Sequence, residues 1–390
     1  MEMTGRDKGT VDLAIVGGGP AGTAAALEAR RHGMRVAIWE RDRFPRDKVC
    51  GEFLSAESLP LLTEEIPGIV PQASTIRRSE FIAPSGQVYS FDLPNPGRGL
   101  SRRLMDEALW QAANSAGALT HEGEVIKRLQ KLSPSTNHRE GWEIESSSGT
   151  TTRTTAVLVA CGRWWMIEGL PSPARQRKNG AAGHWMGAKA HFKDVAPRDA
   201  VEMYFFPGGY CGLAPIEYGM YNVCCLVHRN LAREGTAGGL GDLSSWLRKI
   251  ARHPALATRL RGATQVSETV STAPLRPARL RGECEGTLLA GDAAGFLDPF
   301  TGDGISMALH SGRLAASEIA NAWSRMGMDS GKVAESYQRR LGRSVRRSYV
   351  VAGLLRALVS APAGLQSSMA KALPQFGQRL LQETRWRESD

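Results

Sequence analysis

The fold of this chain is decided by the stretch Val11-Asp-Leu-Ala-Ile-Val-Gly-Gly-Gly-Pro-Ala-Gly22 and by the run Val36-Ala-Ile-Trp-Glu40 that follows it. The first apolar run leads directly into a glycine-rich turn, and an alanine-rich helical segment continues to about His32. The second apolar run ends on an acidic residue. Strand, glycines, helix, strand and acid in this order are typical of a β-α-β unit that binds a dinucleotide.

Each position in this unit has a physical role. Gly17 permits a tight turn out of the strand, Gly19 lets the backbone approach a pyrophosphate, and Gly22 allows the helix to pack closely on the strand. The helix N-terminus offers free N–H groups and the positive end of its dipole to phosphate. A carboxylate at Glu40 can accept hydrogen bonds from a ribose. The predicted cofactor contacts in this unit are Gly17, Gly19, Pro20, Ala21, Gly22, Glu40 and Arg41.

Composition limits the class of protein. The chain has 390 residues, 42% of them hydrophobic, which is enough to bury a large core divided into more than one lobe. The chain has no run of about eighteen apolar residues, so no membrane-spanning helix is predicted. The polar N-terminus shows no secretory signal. The six cysteines lack CxxC or zinc-ligand spacing, so we expect free thiols, no metal site and a cytoplasmic location.

The positive charge of the chain is concentrated at its C-terminus. Of the net charge of +10, a surplus of six lies in residues 333–390, which hold ten Lys and Arg against four Asp and Glu. No nucleic-acid-binding module accompanies this charge, so no nucleic-acid partner is predicted. Apolar pairs at helical spacing, from Val350-Val351 to Leu358-Val359, lie near Arg346 and Arg347. Either this helix packs on the rest of the protein, or it offers a basic amphipathic surface for peripheral membrane contact.

The rest of the chain alternates between strand-like and helical segments. Residues 81–92 and 141–160 are predicted hairpins, and residues 104–115 are a predicted helix. Between about 185 and 275 the pattern is that of strands with a helical insertion, and after Lys332 it is helical. We therefore predict an α/β fold with a discontinuous Rossmann-like domain (1–74, 100–170 and 273–330), a β-rich mixed-sheet substrate domain (75–99 and 171–272) and a C-terminal helical region (331–390).

A second constellation begins at Gly291-Asp-Ala-Ala-Gly295. A buried strand delivers Asp292 to its C-terminal edge, the usual position for a ligand in an open α/β sheet. The carboxylate can bind the hydroxyls of a ribityl chain, and the glycines further on begin a helix whose positive end would stabilise a reduced flavin. The alternative is an ordinary strand, loop and helix capped by Asp303. Together with the first unit, the pattern favours FAD, with contacts from Gly291, Asp292, Gly302, Gly304 and Ile305.

These segments carry a family resemblance. Further specific matches are Phe44-Pro-Arg-Asp-Lys-Val-Cys-Gly51, Ser101-Arg-Arg-Leu-Met-Asp106 and the segment from Gly291 to Arg313. The chain resembles FAD-dependent oxidoreductases of the para-hydroxybenzoate hydroxylase fold, and within it the geranylgeranyl reductase-like branch, with flavin-dependent halogenases as near relatives. The resemblance implies an enzyme with one FAD, with Arg102 near the cofactor and Asp292 on its ribityl phosphate. It also implies a substrate cavity between the flavin and the β-rich domain.

Departures from the family pattern bear on the reaction. The Asp-Gly motif that touches FAD and NAD(P)H in hydroxylases resembles Ala160-Cys-Gly-Arg163, in which Cys161 replaces the acid. The Tyr-x-Trp-x-Phe-Pro stretch of the reductases resembles Tyr210-Cys-Gly-Leu-Ala-Pro215, which lacks the two large aromatics and so predicts a wider pocket. The halogenase Trp-x-Trp-x-Ile-Pro signature is missing at that position, and the halogenase lysine has no convincing counterpart in the sequence.

Three side chains are candidates for catalysis. By the resemblance, Cys50 lies at the boundary of flavin and substrate, where a thiol could donate a proton, although free Cys is often a small buried hydrophobe. Glu52 could act as an acid or base, or cap the next turn. Tyr210 could donate a proton, or pack as an aromatic residue in a strand.

The predicted function is FAD-dependent oxidation–reduction of a hydrophobic small molecule, with electrons from NAD(P)H. The first choice of reaction is reduction of a carbon–carbon double bond in an isoprenoid- or polyketide-like substrate. The alternative is a flavin-dependent monooxygenase that hydroxylates an aromatic or polyketide substrate, and a halogenase is a weaker third choice. A different class is an NAD-binding dehydrogenase or a nucleotide-sensing protein. The proposed flavin supplies the redox chemistry, and the protein supplies position and electrostatics.

Overall fold

The computed structural model describes residues 10–133, 141–163, 165–171, 185–228, 230, 243–250, 253–275, 280–296, 302–324, 329–359 and 385–386. The strands are β1 (Thr10–Val16), β2 (Val36–Glu40), β3 (Phe53–Leu54), β4 (Ser74–Ile82), β5 (Val88–Gly99), β6 (Leu119–Glu122), β7 (Ile126–Leu132), β8 (Gly141–Ser146), β9 (Thr151–Val159), β10 (Trp185–Lys193), β11 (Ala200–Phe206), β12 (Gly209–Pro215), β13 (Tyr221–His228), β14 (Thr264–Gln265), β15 (Val270–Leu275), β16 (Glu283–Cys284) and β17 (Thr287–Leu289). The α-helices are α1 (Pro20–Arg31), α2 (Leu59–Glu65), α3 (Arg102–Ser115), α4 (Leu243–Ile250), α5 (Pro254–Arg259), α6 (Gly304–Ser324) and α7 (Ser330–Val359).

The first sheet is built on parallel strands. Its order within the described residues is β16-β17-β9-β1-β2-β6, and β17, β9, β1, β2 and β6 all run parallel. The hairpin β8–β9 was predicted, and β7 joins the sheet through β8. Leu13, Ile15 and Ile38 are fully buried in this sheet, and each such side chain contributes roughly 1.5–3 kcal/mol. Strand β1 lies between β2 and β9 and runs parallel to both, so the C-terminal ends of the three strands lie at the same edge of the sheet. Open α/β sheets bind ligands at this edge.

Helix α1 is buried over most of its length, as its alanine-rich sequence requires. A Cβ at Gly22 would overlap the carbonyl oxygen of Gly17, and a Cβ at Gly312 of α6 would overlap that of Ala21. These two glycines therefore allow α1 to lie against β1 on one side and α6 on the other. The predicted first β-α-β unit is confirmed, and its glycine turn lies at the C-terminal edge of the sheet.

The second sheet is mixed and mostly antiparallel. Its order within the described residues is β14-β10-β13-β12-β11-β4-β5-β3, with β15 also paired to β10. The predicted hairpin of β4 and β5 is present, and β4 runs parallel to β11. Strand β12 contains Tyr210, for which a strand position was one of the predicted alternatives, although its Gly and Pro content gives little strand propensity. It lies between β11 and β13, and pairing with both neighbours holds it in the sheet.

The C-terminal helix packs on the first lobe through part of its length. Val333, Tyr337, Leu341 and Val345 of α7 are buried at helical spacing, and α7 contacts α6. The packing interpretation of this helix therefore holds up to Ser348. The side chains of residues 351–359, and all of residues 360–384, lie outside the described part of the chain.

The two sheets meet near the predicted domain boundaries. Strand β3 belongs to the second sheet, although its residues lie within segment 1–74, and β15 of that sheet continues to Leu275. The exact domain boundaries stay a prediction. Among the described residues, no helix is long and apolar enough to cross a membrane.

Candidate active site

A cavity of about 890 Å³ lies at the C-terminal edge of the first sheet and extends to the second sheet. Nearly all of the predicted site residues line it, although they come from distant parts of the chain. The lining includes Gly17, Gly19, Pro20, Ala21, Glu40, Arg41, Cys50, Glu52, Arg102, Tyr210, Gly291, Asp292, Gly302, Gly304 and Ile305. Gly22 is the exception among the predicted residues, because it packs beneath the turn against Gly17.

One end of the cavity is the glycine turn before α1. Gly19 is the N-cap of α1 and makes no side-chain cap, so the N–H groups of the first turn are left for a ligand. A Cβ at Gly19 would meet only Arg102, whose Nη2 would lie 3.9 Å away. The Arg102 guanidinium is held by two hydrogen bonds of 2.6 and 2.7 Å to Asp106. Open space, free donors and a fixed cation together suit a pyrophosphate.

Glu40 lies beside this turn at the end of β2. Its Oε2 accepts hydrogen bonds from the Gly18 backbone N–H (2.8 Å) and from Nη2 of Arg46 (3.2 Å), and its Oε1 accepts one from the Asp42 N–H (3.1 Å). The carboxylate is therefore buried and fixed in the cavity wall. The predicted contact between Glu40 and a ribose stays a prediction. A carboxylate offers about four lone-pair positions, so it has capacity beyond these bonds.

The other end of the cavity is formed by Asp292 and the start of α6. Oδ2 of Asp292 lies 3.6 Å from Nε of Arg163, and the side chain is 41% exposed. A Cβ at Gly304 would meet no atom within 4 Å, so the N-terminus of α6 is open. This end suits a polyol chain followed by a flat, polar ring.

Asp303 directly precedes α6, and its side chain binds other parts of the chain. It is fully buried, and its Oδ1 accepts hydrogen bonds from Oγ of Ser55 (3.1 Å) and Nη1 of Arg385 (3.4 Å). Burial raises the pKa of Asp303 to about 7. Next to Arg385, the ring of Trp386 stacks on His310 at a centroid distance of 5.0 Å. The chain end therefore contacts the N-terminus of α6, which sequence motifs alone did not indicate.

Cys50 and Cys161 are neutral thiols in the cavity wall. Burial raises the pKa of Cys50, and nearby Arg102 only partly offsets that effect. Burial also raises the pKa of Cys161 to about 12, so this residue cannot supply the negative charge of the acid that it replaces. Sγ of Cys50 accepts a hydrogen bond from the Glu52 N–H at 3.4 Å. A protonated thiol at this position can donate a proton toward the cavity.

Glu52 has an unusual position. Its backbone lies in the left-handed region (φ 55°), and its buried side chain accepts a 2.8 Å hydrogen bond from the Arg102 N–H at the start of α3. The carboxylate also contacts Lys189 and His191 of β10. Glu52 therefore caps α3 and is part of a buried charged cluster at the same time.

Lys189 and His191 were missed by the sequence analysis. A signal for them exists in Ala188-Lys-Ala-His-Phe192, where two polar residues two positions apart share one face of an apolar strand. Their partners Asp47 and Glu52 are distant in sequence, so no local spacing connects the four residues. The donor atoms of Asp47, Glu52 and His191 lie within 4.8 Å of one another, and the Lys189 ammonium contacts all three.

Sequence comparisons place this geometry in a family. The profile of the family FAD dependent oxidoreductase matches residues 12–45. Digeranylgeranylglycerophospholipid reductase 2 of Methanopyrus kandleri is 30% identical over 321 residues, covering 80% of this chain and 77% of the relative. The chain belongs to the geranylgeranyl reductase-like family of FAD-dependent oxidoreductases. This family member is therefore an enzyme, and the prediction of FAD rather than NAD as its resident cofactor is confirmed.

Solved structures show the same fold. A flavin-dependent brominase has a TM-score of 0.74 at 19% identity, with 97% of this chain and 94% of that chain covered. A geranylgeranyl bacteriochlorophyll reductase-like protein of Thermoplasma acidophilum has a TM-score of 0.71 at 20% identity, with 97% and 94% covered. The predicted Rossmann-like flavoprotein fold is confirmed. At these identities the likeness concerns the fold alone.

The residues of the cavity fit FAD. The uncapped N-terminus of α1 and the open space at Gly19 could hold the pyrophosphate, and Glu40 lies where the adenosine ribose would follow. Asp292 and the open N-terminus of α6 could hold the ribityl chain and the flavin ring. Cys50, Glu52 and Tyr210 would then lie on the substrate side of the same cavity.

Proposed function

We propose that this enzyme reduces carbon–carbon double bonds in a hydrophobic, isoprenoid- or polyketide-like substrate. The observation that carries the proposal is the protonated Cys50 thiol, which faces the cavity that also contains the FAD-binding residues. The relative from Methanopyrus kandleri, which shares most of the chain length, is named a reductase of a digeranylgeranyl lipid. A thiol proton donor beside a redox cofactor suits that type of reaction.

The reaction needs two electrons and two protons for each double bond. Bound FAD, once reduced, would supply the electron pair and one hydrogen. The second carbon takes a proton, which we assign to the thiol of Cys50, with Glu52 beside it. NAD(P)H is the proposed external reductant. The sequence has one glycine fingerprint of the GxGxxG type, at Gly17–Gly22, so a nicotinamide would visit the site only transiently.

A flavin-dependent monooxygenase is the second candidate. The observation that favours it is the composition of the segment 210–215, in the part of the second sheet that faces the cavity. Gly212 and Ala214 stand where the reductases have large aromatics, but neither is among the residues that line the cavity, and Ala214 packs with Ile76 and Leu93 instead. Tyr210 is the aromatic residue of this segment that lines the cavity. The wall therefore has no counterpart of the two large aromatics of the reductases, which suits a broader or more rigid substrate than a prenyl chain.

Anaerobic turnover separates the two reactions. With a geranylgeranyl lipid, NADPH and no oxygen, we expect the holoenzyme to form a product that gains two hydrogens per reduced bond, detected by mass spectrometry. Cys50→Ala should lower kcat by roughly 10²–10⁴-fold, because the proton donor is lost, and should keep its flavin. Cys284→Ala, a buried thiol outside the cavity lining, is the matched control. A product that forms only with oxygen would instead identify a monooxygenase.

We also propose that α7 brings the enzyme to a lipid surface, where such a substrate is found. Arg343, Arg346 and Val350 are exposed at spacings of three and four residues, so they share one face of the helix, opposite the face that packs on the first lobe. This face combines positive charge with an apolar side chain that is 59% exposed. Basic and apolar groups on one face favour binding to anionic membranes.

Vesicle co-sedimentation of the full chain tests this surface. Vesicles of phosphatidylcholine with phosphatidylglycerol should bind the wild type, and binding should fall several-fold in the variant Arg343→Glu/Arg346→Glu/Val350→Ser, because attraction to anionic lipid is lost. Lys332→Glu, near the start of α7, is the control for charge alone. Equal binding by all three proteins would remove the proposed membrane contact.

A further inference from the structure

Arg385 and Trp386 pack against the first turns of α6, although they lie far from it in the sequence. The ring of Trp386 stacks on that of His310, with the two ring planes 9° apart. Nε2 of His310 donates a 3.1 Å hydrogen bond to the Glu57 carbonyl oxygen, which fixes the ring on which Trp386 lies. The Arg385 guanidinium lies 5.8 Å from the centre of the Phe53 ring, and Phe53 lines the cavity. These two residues are therefore held directly behind the cavity wall.

Arg385 binds the carboxylate of Asp303, the residue directly before α6. Oδ1 of Asp303 accepts hydrogen bonds from Nη1 of Arg385 (3.4 Å) and from Oγ of Ser55 (3.1 Å). Nε of Arg385 also lies 3.7 Å from Oε2 of Glu57, so the charged groups that face Asp303 are one cation and one further carboxylate. Burial raises the pKa of Asp303 to about 7, while Arg385 acts in the opposite direction and Glu57 in the same direction as burial. Arg385 therefore favours the ionised form of this buried acid.

Asp303 stands at the N-cap position of α6, but its side chain does not cap the helix. Its backbone carbonyl oxygen accepts the first intrahelical hydrogen bond, from the Met307 N–H at 2.9 Å. An aspartate at this position ordinarily accepts a further hydrogen bond from the N–H two or three residues on. Instead, Oδ1 is bound by Ser55 and Arg385, and Oδ2 is buried with no hydrogen-bond partner in the described part of the chain. The first N–H groups of α6 are therefore left without the cap that this residue type usually supplies.

The orientation of this carboxylate decides what the start of α6 can bind. Gly304 and Ile305 line the cavity, and a Cβ at Gly304 would meet no atom within 4 Å. If the Asp303 carboxylate turned to cap the helix, it would occupy one of these N–H groups and place a negative charge at the positive end of the helix dipole. Both effects would compete with the flavin ring that the free helix end suits.

We propose that Arg385 is a positioning residue, which together with Ser55 holds the Asp303 carboxylate away from the amides of α6 and keeps this helix end free for FAD. Without Arg385, Oδ1 loses its positive partner, and the first amides of α6 become alternative donors for the carboxylate. Trp386 contributes by stacking on His310, which keeps Arg385 in place. The inference rests on the placement of the flavin at α6, and it is independent of the reaction assigned to Cys50.

Titration of the apoprotein with FAD, followed by flavin fluorescence, tests the proposal without turnover. In mildly alkaline buffer, Arg385→Met should raise the Kd of FAD roughly 5–10-fold, because a competing N-cap leaves only a fraction of the helix ends free. Arg385→Lys keeps the positive charge and should bind FAD nearly as tightly as the wild type. Arg340→Met is the matched control, since Arg340 of α7 also ties another segment to α6, through a 2.8 Å bond to Glu318, but far from its N-terminus. Its Kd should equal that of the wild type.

Removal of the carboxylate separates this role from a merely structural one. Arg385→Met/Asp303→Ala has no carboxylate to cap the helix, so its Kd for FAD should return to within about twofold of the wild-type value. Asp303→Ala alone should bind FAD no more weakly than the wild type, and it provides the same test if Arg385→Met does not fold. A double variant that binds FAD as weakly as Arg385→Met would overturn the proposal, and so would wild-type affinity in Arg385→Met.

The effect should also depend on pH, since only ionised Asp303 brings a negative charge to the helix end. With a pKa of about 7 for Asp303, the ratio of the Kd of Arg385→Met to that of the wild type should be larger well above this pH than well below it. A ratio that does not change with pH would contradict the role of the Asp303 charge. Lipid reduction by an enzyme whose Kd values do not differ among these variants would refute this role and leave the proposed reaction intact. The expected Kd values without any reduction would refute the reaction and leave this role.

Discussion

Gly22→Ala should give a protein that purifies without flavin. The added Cβ would overlap the Gly17 carbonyl oxygen and lie 3.0 Å from its carbonyl carbon and 3.3 Å from Cγ2 of Ile15. Because the closest neighbour is backbone, no side-chain rotation relieves the overlap, and α1 has to move away from β1. That movement displaces the N-terminus of α1 from the pyrophosphate position. Forced overpacking of this kind typically costs about 1–3 kcal/mol of stability.

Visible flavin absorbance per mole of purified protein measures the result. We expect it to fall by at least about tenfold, which corresponds to 1.4 kcal/mol or more of lost binding free energy at limiting FAD. Gly342→Ala in α7 is the matched control, since a Cβ there meets no atom within 4 Å. This variant should keep its flavin, and its free energy of unfolding should rise by roughly 0.5–1 kcal/mol, as expected for alanine in a helix interior. Full flavin content in Gly22→Ala would show that the turn has room for a side chain.

Arg259→Met should destabilise the second sheet by about 3–5 kcal/mol, because it leaves a buried carboxylate without its cation. The Arg259 guanidinium binds Glu202 through Nε (2.9 Å to both oxygens) and Nη2 (2.8 Å to Oε1), and Glu202 is fully buried. Tyr204 donates a 2.6 Å hydrogen bond to the same carboxylate. The Tyr204 hydroxyl cannot replace the lost positive charge, and the half-exposed Arg198 guanidinium, 3.3 Å from Oε2, compensates the buried Glu202 carboxylate only in part.

Urea unfolding, followed by intrinsic fluorescence, measures this effect. Arg198 provides a control on the same carboxylate, since its Nη1 lies 3.3 Å from Glu202 while its side chain is 44% exposed. Arg198→Met should therefore cost about 1 kcal/mol or less. Similar losses of unfolding free energy in both variants would mean that burial does not strengthen the ion pair of Arg259 with Glu202. Recovery of stability in Arg259→Met/Glu202→Gln would support the buried charge as the cause.

The structure brings the residues that local motifs predicted for the cofactor to one cavity. Gly17, Gly19 and Glu40 belong to one β-α-β unit, and Asp292 directly follows a buried strand, so their positions depend on short stretches of backbone. A strand, its turn and the next helix have nearly the same geometry wherever they occur. Because of that regularity, residues that lie far apart in the sequence could be assigned to one cavity.

The catalytic end was predicted less completely, because its contacts join distant segments. Cys50 and Glu52 were identified from a family motif, but Lys189 and His191 lie 137 and 139 residues from Glu52. Arg385 reaches Asp303 across 82 residues. No periodic pattern in the sequence predicts such contacts, because each polar residue also fits the helix, strand or loop in which it lies.

The sequence by itself determined the β-α-β unit, the FAD-type cofactor motifs and the outline of two sheets followed by a helical region. These features follow from the spacing of glycines and apolar residues, which acts over a few residues of backbone. Only the tertiary structure decided which polar groups are buried together behind Cys50 and which charges compensate one another. Burial and charge balance depend on every element packed around a group, and for Glu52 those elements come from β10, α3 and the loop after β2.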